Sequence, residues 1–206
     1  MPDYRLSIEE PYPAALNDAY LALKWLHDNT DQLGVNPQQL CVVGDSAGGG
    51  LTAALTLYAR DQHEVNIAFQ SPMYPMLDDR PTASSANNDA PVWNTNNNQN
   101  AWKLYLGNDY GTHYVSQYAA PARAVDYRNL PPTYTFVGTI EPFYDETLTY
   151  IDHLKKAGVP ASLDIYEGGF HALDLFGGKT RLGKEATKRW QQALKYASEN
   201  YFCEET

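Results

Sequence analysis

Five consecutive residues have the types and the spacing of a turn that presents a nucleophilic serine: Gly44, Asp45, Ser46, Ala47 and Gly48. A short apolar run, residues 40–43, precedes this G-x-S-x-G pattern, and a helix-like segment, residues 51–60, follows it. In such a strand–turn–helix connection, the serine is held in a strained backbone conformation with its hydroxyl exposed above the sheet. The alternative interpretation is a glycine-rich turn that carries a serine by chance, but the flanking strand and helix favour the nucleophile.

The same turn predicts where an oxyanion would bind and which glycines are required. The backbone N–H of Ala47 should point to the same place as the Ser46 hydroxyl and donate to an oxyanion formed there. A side chain at Gly44 or Gly48 is expected to clash where the strand and the helix nearly touch.

A serine hydroxyl needs a base that takes its proton, and the base needs a group that fixes its tautomer. His171 is the expected base, because it lies in a turn behind two glycines and after a late predicted strand, residues 161–166. The remaining histidines lie within helix patterns or in loops with no strand before them: His27, His63, His113 and His153.

The acid of such a triad should lie between the serine and the histidine in the chain. Glu141 is favoured because it follows a predicted strand, residues 133–138, in the stretch Gly138-Thr139-Ile140-Glu141-Pro142. The alternatives are three carboxylates near the ends of other elements: Asp78, Asp79 and Asp145.

Strands alternate with helices along the chain. The predicted strands are residues 40–43, 65–70, 133–138 and 161–166, and the predicted helices are residues 13–29, 51–60, 101–106, 143–157 and 184–201. This alternation predicts a parallel sheet with helices packed on it, with sites beyond the C-terminal ends of the strands. We therefore expect Ser46, Glu141 and His171 to lie at one edge of the sheet. Residues 73–100 are long and irregular, which is typical of a lid or a binding loop.

Composition restricts the class of partner. The 206 residues suffice for one domain with a sizeable core, and we expect a single domain over residues 1–206. The formal net charge of −10 argues against a nucleic-acid partner. No apolar run approaches the ~20 residues of a membrane span, and residues 1–10 lack the apolar core of a signal peptide. We therefore expect a cytoplasmic protein with no membrane partner.

The two cysteines do not indicate a metal site. Cys41 and Cys203 have no metal-ligand spacing. We expect Cys41 to be a small buried residue of its strand, Cys203 to lie near a mobile C-terminus, and no disulfide to join them.

With these motifs in register, the chain resembles the hormone-sensitive-lipase-like family of α/β-hydrolase esterases. Four segments carry the resemblance: Tyr4-Arg5-Leu6 with Pro13-Ala14-Ala15, Gly44-Asp45-Ser46-Ala47-Gly48-Gly49, Glu141-Pro142 with Asp145-Glu146, and Gly168-Gly169-Phe170-His171. The family's acid motif usually begins with Asp, where this chain has Glu141. The resemblance implies an α/β-hydrolase fold, with a mostly parallel sheet and helices on both faces. It also implies cofactor-free hydrolysis of carboxylic esters with small or medium acyl groups.

One feature of the family has no counterpart in this sequence. The family carries an His-Gly-Gly-Gly stretch before the nucleophile that supplies most of the oxyanion hole, and this sequence contains none. We expect the N-terminal strands to be missing and esterase activity to be weak or absent. The alternatives to an esterase are an inactive remnant or binding module of the same fold, and a peptidase.

The same absence bears on assembly. We expect the strand at residues 40–43 to have an unpaired edge that a homodimer covers. The alternative is that residues 1–10 fold back over this edge.

Overall fold

Four parallel strands pair in the order in which they occur along the chain, in a computed structural model that describes residues 2–203. The strands are β1 (Cys41–Asp45), β2 (Phe69–Met73), β3 (Thr133–Gly138) and β4 (Ala161–Tyr166). The helices are α1 (Ala14–Asp28), α2 (Thr30–Leu33), α3 (Ala47–Gln62), α4 (Ala83–Ala86), α5 (Thr95–Leu106), α6 (Tyr144–Lys156) and α7 (Arg181–Asn200). Short 3-10 segments occupy Pro37–Gln39, Gly107–Asp109 and Pro121–Arg123.

Helices cover both faces of this sheet, as expected from the sequence. On one face, Leu57 of α3 and Leu154 of α6 belong to one buried cluster. On the other face, Tyr134 and Phe136 of β3 pack with α7 through residues such as Ala186. Every residue of β3 is buried, because this strand lies inside the sheet and is covered on both sides. The end of β3, after which Glu141 follows, therefore lies within the packed interior of the sheet.

The predicted boundaries are confirmed for β3 and β4, and the predicted helices at residues 13–29 and 143–157 correspond closely to α1 and α6. The prediction for β2 is wrong: the sequence predicts a strand over residues 65–70, whereas β2 spans Phe69–Met73 and includes Ser71 and Pro72. The ladder to β3 tolerates the missing N–H of Pro72, because Gln70 N donates to Pro132 O and Tyr74 N donates to Phe136 O on either side of it.

Residues 95–100, which are rich in asparagine, are helical, which the sequence pattern does not predict. The helix was expected over residues 101–106, whereas α5 begins at Thr95. Asn94 caps it, since its side chain accepts a hydrogen bond from the backbone N–H of Asn97. Helix α7 also begins earlier than expected, at Arg181, because Thr180 caps it by accepting from Gly183 N.

The two cysteines differ from expectation. Cys41 is exposed rather than buried, because β1 lies at the edge of the sheet in this chain and its outward residues lack a covering layer. Cys203 is docked: its backbone N donates to Gln38 O at 2.9 Å. Both thiols are free. Between residues 2 and 203, no helix is both long and apolar enough to cross a membrane.

Candidate active site

Ser46 stands between β1 and α3 in a strained backbone conformation, with φ 56° and ψ −118°. Positive φ is uncommon for residues other than glycine and persists only where the surroundings enforce it. Three hydrogen bonds do so here. Ser46 N donates to Met73 O, and Ser46 O accepts from Gly50 N and Met76 N, all at 3.0–3.1 Å. The strand–turn–helix expected from the G-x-S-x-G pattern is therefore present, and the following helix begins at Ala47.

Of the two glycines that the sequence predicts to be required in this turn, the structure supports the requirement at Gly44 and contradicts it at Gly48. A Cβ at Gly44 would lie 2.3 Å from Gly48 O, so this position must be glycine. A Cβ at Gly48 would meet only a side-chain atom of Asp45 at 3.9 Å, an ordinary contact. The expectation that Gly48 is required is thus wrong, because its carbonyl and not its α-carbon makes the close approach. Crowding on the helix side falls instead on Gly50, whose Cβ would lie 2.1 Å from Met76 O.

The side chains of Ser46, His171 and Glu141, which the sequence analysis predicts as the triad, form a continuous chain of hydrogen bonds. Ser46 Oγ lies 2.8 Å from His171 Nε2, and His171 Nδ1 lies 2.6 Å from Glu141 Oε2. The second carboxylate oxygen, Glu141 Oε1, accepts from the backbone N–H of Gly138 at 2.9 Å. With Nδ1 protonated toward Glu141, Nε2 is free to accept the serine proton.

The turn that carries Glu141 and the turn that carries His171 are joined by hydrogen bonds. Ile140 N donates to Gly169 O at 3.2 Å, and Gly168 N donates to the hydroxyl of Thr139 at 2.9 Å. A Cβ at Gly138 would lie 2.1 Å from Gly169 O, so the end of β3 needs glycine for this approach. The relative position of Glu141 and His171 is therefore set by backbone contacts between the two turns.

The three alternative acids form ion pairs or hydrogen bonds with residues other than His171. Asp79 pairs with Arg123, with Oδ1 2.6 Å from Nε, and Asp78 Oδ1 lies 2.8 Å from Nε of Arg80. Asp145 Oδ2 accepts from the backbone N–H of Ser84 at 2.7 Å. These three carboxylates are thus engaged by other residues, and the hydrogen bond to His171 Nδ1 is made by Glu141.

Aromatic rings surround His171 in addition to the polar contacts. Tyr74 and Phe143 meet its ring edge to face, with centroid distances of 5.0 and 5.1 Å. Trp93 lies at 5.9 Å with an interplanar angle of 37°. His171 itself is 3% exposed. These rings exclude water from the imidazole, and their position around His171 has no signal in the local sequence.

A cavity of about 150 Å³ opens beside the first turn of α3. Its lining includes residues 4–7 and the side chains or backbone of Ala47, Gly50, Leu51, Met76, Trp102 and Tyr105. Ala47 is the first residue of α3, so its N–H has no partner within the helix. The lining is mostly apolar, apart from Tyr4, Arg5 and Ser7. Arg5 is already engaged, because its guanidinium contacts Asp18 at 2.8 Å.

A further buried carboxyl supports the segment next to Ser46. Glu146 Oε1 accepts from the backbone N–H groups of Leu77 at 2.6 Å and Asp78 at 3.3 Å. Burial raises the pKa of Glu146 well above its usual value. The adjoining Met76 N–H donates to Ser46 O, so Glu146 fixes the segment that closes over the serine backbone. Among residues 2–203, no cluster of three or more His, Cys, Asp or Glu side chains is arranged to hold a metal ion.

Comparison with known proteins agrees with this geometry. A family model described as the alpha/beta hydrolase fold matches residues 1–175. Esterase LipI of Mycobacterium tuberculosis is 35% identical over 195 residues, which cover 94% of this chain and 61% of LipI. Carboxylesterase NlhH of the same species is 34% identical over 200 residues, covering 95% of this chain and 62% of NlhH.

Solved structures give the same result. The structure titled bacterial heroin esterase superposes with a TM-score of 0.91 at 38% identity, over 94% of this chain and 62% of that one. Esterase LipW of Mycobacterium marinum superposes with a TM-score of 0.89 at 35% identity, over 95% of this chain and 61% of that one. The chain thus spans about three fifths of the length of these relatives. It belongs to the alpha/beta hydrolase family, and its resemblance to the hormone-sensitive-lipase-like esterases is confirmed.

Proposed function

We propose that the protein hydrolyses carboxylic esters of small or medium acyl groups, with Ser46 as nucleophile, His171 as base and Glu141 as the acid of the triad. The observation that carries the proposal is the continuous pair of hydrogen bonds from Ser46 Oγ through the imidazole of His171 to Glu141 Oε2. The names of the relatives, esterase and carboxylesterase, support the same reaction.

In the first half of the reaction, Ser46 Oγ attacks the ester carbonyl while its proton passes to His171 Nε2. The carboxylate of Glu141 stabilises the imidazolium and keeps its Nδ1–H pointed away from the serine. The bond to the alcohol oxygen then breaks, and that oxygen takes the proton from Nε2. The acyl group remains on Ser46 as an ester, so the step conserves atoms and charge.

In the second half, His171 Nε2 removes a proton from water, which attacks the acyl carbon. The Ser46–acyl bond breaks, the proton returns to Ser46 Oγ, and the carboxylic acid leaves. In both halves the Ala47 N–H donates to the oxyanion at the start of α3, where the helix dipole also favours negative charge.

The cavity beside Ala47 supports a limit on the acyl group. It measures about 150 Å³ and adjoins the proposed oxyanion donor. A cavity of this size holds a group about as large as benzene, or roughly six carbon atoms. Acetyl to hexanoyl esters are therefore the proposed range.

Turnover by this chain is expected to be slow. The sequence contains no His-Gly-Gly-Gly stretch, so the proposed oxyanion donor of the nucleophile turn is the Ala47 N–H. Loss of a single oxyanion donor costs about 10²–10³ in kcat. A kcat/KM of about 10⁴ M⁻¹s⁻¹ or more would show that another donor acts in its place.

The test is hydrolysis by the purified chain of p-nitrophenyl acetate, butyrate and dodecanoate, with a peptide p-nitroanilide for comparison. Turnover of the short esters that Ser46→Ala abolishes supports the proposal. Cleavage of the anilide in preference to the esters indicates a peptidase. Failure to cleave any of them, with no ester bound covalently to Ser46, indicates an inactive or binding protein of this fold.

We also propose that a second copy of the chain covers the free edge of β1. Within residues 2–203, this strand lies at the edge of the sheet and pairs with β2 alone, and its Val43 is 46% exposed. An uncovered strand edge is a template for association with another strand. The alternative is that residues 1–10 cover this edge, but residues 2–10 form no strand. The side chain of Arg5 donates a hydrogen bond to Asp18 of α1 instead. Sedimentation at micromolar concentration measures the oligomeric state; a monomer contradicts the proposal.

A further inference from the structure

Of the three aromatic residues that contact the ring of His171, Trp93 is the one that keeps solvent-accessible surface. Tyr74 is 1% exposed and Phe143 is 0% exposed, so both side chains are packed between the histidine and the core. Trp93 is only partly buried. Its Nε1 is buried without a hydrogen-bond partner among residues 2–203. The polar edge of the indole is therefore not part of the accessible surface of Trp93.

The backbone beside Trp93 is strained. Trp93 N donates to Pro91 O at 2.9 Å, which closes a γ-turn around Val92. Val92 has φ 72°, a conformation that β-branched residues rarely adopt. Strained residues of this kind persist where other contacts enforce them, and they concentrate at active sites and ligand clamps.

The loop that carries Trp93, residues 88–95, is closed at its base. Asn88 N donates to the hydroxyl of Thr95 at 2.7 Å, and Thr95 N donates to Asn88 O at 3.0 Å. The side-chain amide of Asn88 also donates to Ile140 O at 3.0 Å, one residue before Glu141. The loop is thus fastened to the turn that holds the acid of the triad.

Trp93 lies next to His171, on which the departure of the alcohol depends in the proposed reaction. The alcohol oxygen of the ester takes its proton from His171 Nε2, so the alcohol portion must lie beside the imidazole. Among the three aromatic residues around that imidazole, Trp93 is the one that keeps accessible surface, and its ring centroid lies 5.9 Å from that of His171. A flat aromatic alcohol can stack against such a surface, whereas a short alkyl alcohol gains little from it.

We propose that Trp93 is a specificity-determining residue for the leaving group, and that the enzyme prefers esters of aromatic alcohols over esters of short alkyl alcohols. The proposal rests on the proposed function, because it needs Ser46 to attack and His171 to face the leaving group. It concerns the alcohol side of the ester, which is separate from the cavity assigned to the acyl side.

The test compares two phosphorylating agents that differ only in the leaving group, diethyl 4-nitrophenyl phosphate and diethyl fluorophosphate. In each reaction the bond from Ser46 Oγ to phosphorus forms, the serine proton passes to His171, and 4-nitrophenolate or fluoride departs. The rate of Ser46 modification is followed by mass spectrometry. Because the two rates are compared within one variant, a general loss of activity cancels from their ratio.

In Trp93→Ala and Trp93→Leu, we expect the aryl-to-fluoride rate ratio to fall about 3- to 10-fold relative to the parent chain. Trp93→Phe should keep it within about twofold, because phenylalanine preserves a stacking surface. Trp25→Ala is the matched control, since Trp25 is 60% exposed on α1. An unchanged ratio in Trp93→Ala and Trp93→Leu overturns the role of Trp93 alone. Absence of Ser46 modification by both agents overturns the proposed function and this inference with it.

Discussion

The carboxylate of Glu141 and the imidazole of His171 form a hydrogen-bonded pair almost fully removed from solvent, with Oε2 2.6 Å from Nδ1. The other oxygen of Glu141 is held by the N–H of Gly138. Both carboxylate oxygens therefore have fixed partners, which determine the orientation of the acid and the tautomer of the base.

Exchanging the carboxylate for an amide should impair catalysis with little effect on folding. In Glu141→Gln, the amide oxygen keeps the bond from Gly138 N, and the NH₂ group then faces Nδ1. The imidazole must accept there and carry its proton on Nε2, where it can no longer take the serine proton. We expect kcat to fall about 10³- to 10⁴-fold. Steady-state hydrolysis of p-nitrophenyl butyrate measures it, and a loss below about tenfold contradicts the role of Glu141.

Asp79 provides the contrast, because it is one of the alternative acids and its carboxylate pairs with another side chain. Its side chain is 2% exposed and pairs with Arg123. Breaking such a pair costs about 3–5 kcal/mol of stability. Asp79→Asn should therefore lower the free energy of unfolding in urea while kcat stays within about threefold of the parent. A fall in kcat as large as that of Glu141→Gln would assign Asp79 a catalytic role.

Two glycines of the nucleophile turn should respond oppositely to the same substitution. Gly44→Ala puts a Cβ against Gly48 O and should cost about 3 kcal/mol of unfolding free energy. Gly48→Ala has room and lies within α3, where alanine is the better helix former, so stability should stay equal or rise by up to about 1 kcal/mol. Urea midpoints for the two variants decide this. Equal destabilisation by the two substitutions would contradict the prediction, because it would mean that a Cβ at Gly48 also clashes with its neighbours.

Glu146 should give the stability of the fold a pH dependence. Its pKa in the folded chain is raised above the ordinary 4.5 by burial, so the folded state binds more protons than the unfolded state. The free energy of unfolding therefore falls as pH rises through the interval between the two pKa values, by at most about 1.4 kcal/mol per pH unit. Glu146→Gln should flatten this fall as the pH rises above the ordinary pKa of 4.5.

Glu199 supplies the control for that measurement, because it is a glutamate of α7 whose side chain is 59% exposed. Glu199→Gln should leave the pH dependence of unfolding as it is in the parent chain. The assignment to Glu146 fails if Glu146→Gln and the parent lose stability equally over this interval.

Local pattern was sufficient to predict the elements that carry the triad. Residues 133–138 are β-branched and aromatic between two prolines and a glycine, and they form β3 as expected. Because Ser46, Glu141 and His171 each follow a parallel strand, their meeting at one edge follows from the alternation of strands and helices. Their roles in catalysis stay predictions until they are measured.

Other features depend on contacts between distant residues and have no local signal. The exposure of Cys41 depends on β1 lying at the edge of the sheet, which only the strand order reveals. The position of Trp93 depends on the hydrogen bond from Asn88 to Ile140, 52 residues further along the chain. The free space at Gly48 depends on the orientation of its α-carbon, which the motif does not specify.

The central claim is that Ser46 is a nucleophile activated by His171, and covalent labelling tests it most directly. A fluorophosphonate probe reports attack by the serine without requiring deacylation. Peptide mapping by mass spectrometry should find the probe on Ser46 in the parent chain, no probe in Ser46→Ala, and labelling slowed about 10²-fold or more in His171→Ala. Labelling that persists in Ser46→Ala, or that proceeds at the parent rate in His171→Ala, would contradict the account.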